Sequence, residues 1–269
     1  MLKDITIGQY IPGESFIHKL DPRTKILITL LYITSLFLID KFVGYLIVIA
    51  ILGICIFNAK IPLKIIFRGL KPIFFLILLT AVLNVFMNSG DNLLFQCGFI
   101  KIYEEGLRIA GFMALRLIFL IIGTSMLTYT TSPIELTDGI EKLLRPIGKS
   151  LAHELAMMMT IALRFIPTLI DEIDRIMSAQ KARGADFESG NLINRIKALF
   201  PIFIPLFISA FKRAIELTDA MSCRCYTGGE GRTRLRQMKM TYRDVVAFVI
   251  MAVICSAIIV LNIYFKNVI

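Results

Sequence analysis

Arg183 and Arg224 are the residues whose type and setting point most directly to chemistry, and that chemistry is recognition. Each is flanked by small residues, Ala182-Arg183-Gly184 in one case and Cys223-Arg224-Cys225 in the other, and each closes a long helical pattern that is apolar in its first half and charged in its last turns. A guanidinium with small neighbours can enter a groove and meet a carboxylate in a charge-assisted, often bidentate contact. Bond-making motifs are missing from the sequence. There is no G-x-x-x-x-G-K-[ST] phosphate loop, no H-E-x-x-H and no nucleophile elbow, so neither ATP hydrolysis nor metal chemistry is expected of the chain itself. The histidines are His18 and His153, and the cysteines are Cys55, Cys97, Cys223, Cys225 and Cys255. The C-x-C pair therefore lacks a zinc ligand set and reads as small packing residues, and the scattered, odd number of cysteines implies no disulfide framework. Gly228-Gly229-Glu230-Gly231 lacks the strand and spacing of a phosphate cradle and reads as a turn.

Composition says where such arginines work. Hydrophobic residues make up 57% of the 269, charged residues 19%, and the mean hydropathy is +0.75, against roughly 45–50% apolar residues in a soluble domain. The chain belongs in a bilayer. Its formal net charge of +10 is then explained by Lys and Arg holding loops on the cytoplasmic side, and no nucleic-acid partner is expected.

Hydropathy and punctuation predict an all-α integral membrane protein with about five transmembrane helices and long cytoplasmic coupling helices. Asp21-Pro22-Arg23-Thr24-Lys25 is a proline-marked helix start with basic residues at the membrane face, which places the amino end in the cytoplasm. Spans are predicted at 26–39, 42–57, 73–87, 107–128 and 245–265, the first two as a short tight hairpin. Lys60, Lys64, Arg68 and Lys71 make the connection before the third span basic, and the segment 88–106 is expected outside, with a turn at Asn88-Ser89-Gly90-Asp91. Arg116 falls within the fourth span, where a cation is a functional candidate or a partnered packing residue. Ser132-Pro133-Ile134-Glu135 is a capping box that starts a helix running to about Leu144.

Two long helical patterns follow, from Leu151 through Arg183 and from Leu192 to Arg224. Pro201 and Pro205 are expected to break or kink the second. Three parts result: 1–128 as an amino-terminal membrane part with four spans, 129–243 as a cytoplasmic coupling-helix region, and 244–269 as a last transmembrane helix that leaves the carboxyl end outside. From Lys142 through Arg243 there are 17 Lys or Arg against 9 Asp or Glu, the bias of a cytoplasmic segment.

Several blocks together resemble a known family. Leu20-Asp21-Pro22-Arg23-Thr24-Lys25, Gln180-Lys181-Ala182-Arg183-Gly184, and Arg224-Cys225-Tyr226 with Gly228-Gly229-Glu230-Gly231-Arg232-Thr233 are similar to the transmembrane T component of energy-coupling factor transporters, and the likeness covers essentially the whole chain. Ile5-Thr6-Ile7-Gly8-Gln9-Tyr10 resembles the type shared among several vitamin-specific partners. The resemblance implies a multi-pass scaffold in a bacterial cell membrane that joins two ABC-type ATPases to a small substrate-binding S component. It implies no cofactor in this chain, ATP and magnesium being held by the partner ATPases, and it makes Arg183 and Arg224 the arginines that dock in one ATPase each. Cys223 departs from the alanine common in the family but stays small.

Exposed apolar residues of the coupling helices, Met157, Met158, Met159, Phe200, Phe203 and Phe207, are what an S component would bury, although such a stripe is more often plain core. Two other functions stay open at this point. One is a T component dedicated to cobalt, nickel or biotin. The other is a self-contained channel or secondary transporter, against which the predicted spans carry few polar residues and show no inverted repeat.

Overall fold

The computed structural model describes residues 10–39, 41–87, 93–97, 100–185, 192–228 and 239–266. The chain is an all-α membrane protein: α1 (Pro22–Phe37), α2 (Phe42–Ala59), α3 (Leu63–Met87), α4 (Glu104–Thr130), α5 (Pro133–Leu144), α6 (Lys149–Ala182), α7 (Leu192–Cys223) and α8 (Tyr242–Lys266). A small antiparallel hairpin between α3 and α4, β1 (Leu93–Cys97) and β2 (Ile100–Tyr103), pairs Gln96 with Lys101 and Cys97 with Ile100. The sequence pattern gives this segment a turn and an outside position but no strand. The predicted turn at Asn88-Ser89-Gly90-Asp91 lies outside the described residues, as do the block Ile5–Gln9 and the run Gly229–Arg236.

Two compact units divide the chain, residues 8–139 with 237–269 in one and residues 140–236 in the other. In the first, four helices are long and apolar enough to cross a membrane: α2, α3, α4 and residues Tyr242–Tyr264 of α8. The fifth predicted crossing, α1, has 16 residues, about 24 Å of helix against a hydrocarbon core of roughly 30 Å.

Its two ends explain how so short a helix is accommodated. At the start, Asp21 caps α1 by accepting from the Arg23 amide (3.0 Å), and the buried Asp244 of α8 accepts the Asp21 amide (2.8 Å) and the Thr241 amide (2.7 Å). Lys25 reaches the carbonyls of Thr130, at the end of α4, and of His18, at 2.8 and 3.1 Å. At the far end, where a helix leaves carbonyls without intrahelical donors, Arg116 of α4 donates to the Ile39 carbonyl (3.2 Å) and Asn262 of α8 donates to that of Leu38. Arg116 also sits 5.4 Å from the centre of the Phe37 ring. The intramembrane arginine is therefore held by packing partners, among them a backbone carbonyl and an aromatic face. Asp21 to Ile39 and Asp244 to Asn262 are equal lengths of chain, so α1 and α8 run between the same two polar levels.

Between those levels the core is Tyr32, Leu36, Ile39, Tyr45, Val48, Leu52, Phe119, Met251 and Ile258. Tyr32 donates to the Phe119 carbonyl (2.8 Å), and its ring occupies the space that a β-carbon on Gly123 would take. A second cluster, Ala59, Ile61, Ile66, Met126 and Tyr129, seats α3 on α4. The helix α3 begins ten residues before the predicted span, so that Lys64, Arg68 and Lys71 stand on its first turns and not in a loop. The capping box is formed: the Glu135 amide donates to Ser132 Oγ (3.3 Å) and the Ser132 amide to Glu135 Oε2 (3.4 Å).

Candidate functional site

In the unit 140–236, α6 and α7 pack against one another. The start of α6 is anchored by the buried Glu141, whose carboxylate faces Arg145 Nη2 at 3.5 Å and His153 Nδ1 at 3.7 Å. Pro167 lies within α6, and α7 runs unbroken through Pro201 and Pro205. Of the break or kink expected there, a break does not occur, since a proline removes one amide donor and the rest of the ladder carries the helix past it.

The two arginines stand at the same structural position. Arg183 is the C-cap of α6; the Gly184 amide donates to Lys181 O (3.0 Å), the Ala185 amide to Gln180 O (3.0 Å), and Gly184 takes φ +86°. At the end of α7 the Cys225 amide donates to Ser222 O (2.9 Å), the Tyr226 amide to Met221 O (3.1 Å), and Cys225 takes φ +52°. Both are Schellman motifs, in which two crossed bonds and one left-handed residue satisfy the last carbonyls of a helix. The arginine stands in each case on the residue before the left-handed one, beside the negative end of the helix dipole. Ala182, Arg183, Gly184, Cys223, Arg224 and Cys225 are all exposed, and among the described residues neither guanidinium has an ion-pair partner.

An ion pair absent from the sequence reading ties the two helices: Arg213 Nη2 lies 3.4 Å from Glu172 Oε2. Glu172 stands eleven residues before Arg183, and Arg213 eleven residues before Arg224. Eleven residues are about three helical turns, or roughly 16 Å. Each arginine therefore lies the same reach beyond the tie and on nearly the same face of its helix as the residue that makes it. The charged residues of both helices had been visible in the sequence, but only their equal spacing from the two ends could have singled out this pair.

The apolar residues predicted for a membrane partner fall in two environments. Met158, Phe200, Phe203 and Phe207 are exposed, whereas Met157 and Met159 are half-buried. Phe200, Phe203 and Phe207 continue through Phe211, which meets Phe207 edge-on at 4.8 Å between ring centres, as one exposed face of α7, with Ile202 buried on another side.

The fold and these helix ends define a class, that of polytopic helical membrane proteins carrying long helices with paired cationic tips. The family described as Cobalt transport protein matches residues 13–235. The energy-coupling factor transporter transmembrane protein EcfT of Clostridium kluyveri is 63% identical over 250 residues, covering 92% of this chain and 93% of that one. The proteins of the same name from Ruminiclostridium cellulolyticum and Bacillus subtilis are 51% and 45% identical, covering 98% and 95% of this chain and 100% and 97% of their own lengths. The chain belongs to the energy-coupling factor transporter transmembrane protein family and is the T component of such a transporter.

Proposed function

We propose that this T component is a non-catalytic scaffold joining two ABC-type ATPases to a substrate-binding S component for uptake of vitamins or related micronutrients. The observation that carries this reading is the pair of matching caps, each holding an exposed arginine that has no ion-pair partner among the described residues, at the same reach from the Glu172–Arg213 tie. Arg183, between Ala182 and Gly184, would enter a groove of one ATPase, and Arg224, between Cys223 and Cys225, a groove of the other. If the ATPases close on ATP and separate after hydrolysis, the two tips must follow them. A hairpin tied at one level would convert that movement into displacement of its apolar halves. The exposed face through Phe200, Phe203 and Phe207, with Met158 and its neighbour Met157 on α6, is the surface an S component would cover. ATP and magnesium belong to the ATPases in this scheme, and the T component holds no cofactor.

The orientation that goes with this role puts the amino end and the unit 140–236 in the cytoplasm and the carboxyl end outside. It is supported by the basic excess of that unit and by α1 running between the same polar levels as α8, which makes an odd number of crossings. Introduced cysteines test it: a membrane-impermeant thiol reagent applied to cells should reach a probe at Asn92 and miss probes at Ser189 and Gly229. Labelling at Ser189 contradicts it. The family description, Cobalt transport protein, sustains a second reading in which the cargo is a metal ion, and uptake of cobalt against vitamins in cells dependent on this chain separates the two. The scaffold role itself is tested by co-purification, for which the ATPases must be retained by the unaltered protein and lost with the arginines.

A further inference from the structure

The first three turns of α3 hold Lys64, Arg68 and Lys71, all exposed, and no acidic residue stands anywhere along Leu63–Met87. At about 100° per residue the three side chains leave the helix within roughly 60° of one another. The opposite side is the packed one: Ile66 and Ile77 are buried there, and Gly69 lies against the Tyr129 hydroxyl. The basic stripe thus points away from the rest of its unit. Along the same line follow Phe75, Leu78, Val82 and Phe86, all exposed. From Phe75 to Phe86 is about 17 Å of helix, close to one leaflet of a hydrocarbon core roughly 30 Å thick.

This arrangement is incomplete electrostatically. Lys64 stands in the first turn of the helix, at the positive end of its dipole, where an anion is favoured, and Arg68 and Lys71 follow it on the same side. Among the described residues none of the three has an ion-pair partner. Lys60, exposed at the end of α2, adds a fourth charge beside them. An anion fits above the stripe and an apolar chain below it, at a separation set by one molecule.

We propose that the outward stripe of α3 is a binding face for an anionic phospholipid. Lys64, Arg68 and Lys71 take the phosphate, their stems lying along the helix while the charges remain at headgroup level, and the acyl chains lie along Phe75, Val82 and Phe86. The face is distinct from the arginine tips and from the apolar face of α7.

Native mass spectrometry of the full chain, extracted from vesicles of equal phosphatidylglycerol and phosphatidylcholine, tests this. The unaltered chain should retain phosphatidylglycerol in preference to phosphatidylcholine, and raising the salt should erode that preference. Lys64→Gln, Arg68→Gln and Lys71→Gln together should reduce it by roughly a hundredfold, about fivefold for each basic residue lost from an anionic surface. The charge-preserving set Lys64→Arg, Arg68→Lys and Lys71→Arg should keep it, as should glutamine at Lys149, Arg175 and Lys212. Equal retention of the two lipids by the unaltered chain, or an unchanged preference in the glutamine set, overturns the proposal. So does a glutamine set that sheds ATPases from the assembled transporter while its lipid preference stands, since the stripe would then be a protein contact.

Discussion

A left-handed backbone costs an L-residue about 1–2 kcal/mol, and Cys225 adopts one at φ +52° where the matching position of the other tip is Gly184 at φ +86°. Cys225→Gly should therefore raise stability by about 1 kcal/mol, and Cys225→Val should lower it, because a β-branched side chain tolerates this region worst. Thermal unfolding of the solubilised chain reads both, and a destabilised glycine variant would contradict the assignment of the cap. His18 gives a pH dependence. Its Nδ1 lies 2.7 Å from Ser15 Oγ and its Nε2 3.0 Å from the Ile11 carbonyl, an arrangement that suits the neutral ring. Burial, aided by the charge of Lys25 and opposed by the Ile11 carbonyl and Glu135, lowers its pKa below 6.5. Between the lowered value and 6.5 the unfolded chain binds more protons than the folded one, so this group's contribution to stability falls as pH drops through that window. Melting curves from about pH 7 to about pH 5 should lose part of their slope in His18→Gln, and an unchanged slope contradicts this origin.

At the level of elements, the ends of helices decide the architecture. The carbonyls at the end of α1 are served from other helices, by Arg116 and Asn262. Arg116→Met should leave the Ile39 carbonyl without its donor and cost about 1–3 kcal/mol, read as a lowered melting temperature. The Glu172–Arg213 tie should act differently. Its residues are partly exposed, so its loss should cost little stability but should alter the reach of both tips. Glu172→Arg or Arg213→Glu alone should lower substrate uptake per ATP hydrolysed, and the double exchange should restore it. Uptake per ATP that is unaffected by either single exchange contradicts a positioning role. Legibility in the sequence divides along the same line. Asp21-Pro22, Ser132-Pro133-Ile134-Glu135 and Gly184 are local signals, and the helices they bound lie where their chemistry puts them. The two matching tips were visible for the same reason. The far end of α1, the tie, and the buried Asp244 holding the Asp21 amide depend on partners dozens to hundreds of residues away, which periodicity does not register. Basic residues taken as a connection proved to stand on α3, because a cation near a membrane face is compatible with either.

The whole molecule combines a membrane unit, cross-braced at two polar levels, with a unit whose long paired helices carry exposed cations and an exposed apolar face. Among the described residues neither exposed feature is covered by the rest of the chain, as is expected of a subunit that others cover. The central claim is that Arg183 and Arg224 dock the ATPases. Each arginine meeting a buried carboxylate would contribute enough that alanine costs roughly 2–5 kcal/mol, whereas Arg232, Arg234 and Arg236 form a run expected only to steer association. The most direct measurement is co-purification of the ATPases with the tagged chain expressed in the assembled transporter. The account predicts reduced recovery for Arg183→Ala or Arg224→Ala, loss for the two together, and near-normal recovery when Arg232, Arg234 and Arg236 are all alanine. Full recovery and normal uptake with both tips changed, alongside loss when the 232–236 run is neutralised, would contradict it and move the docking site to that run.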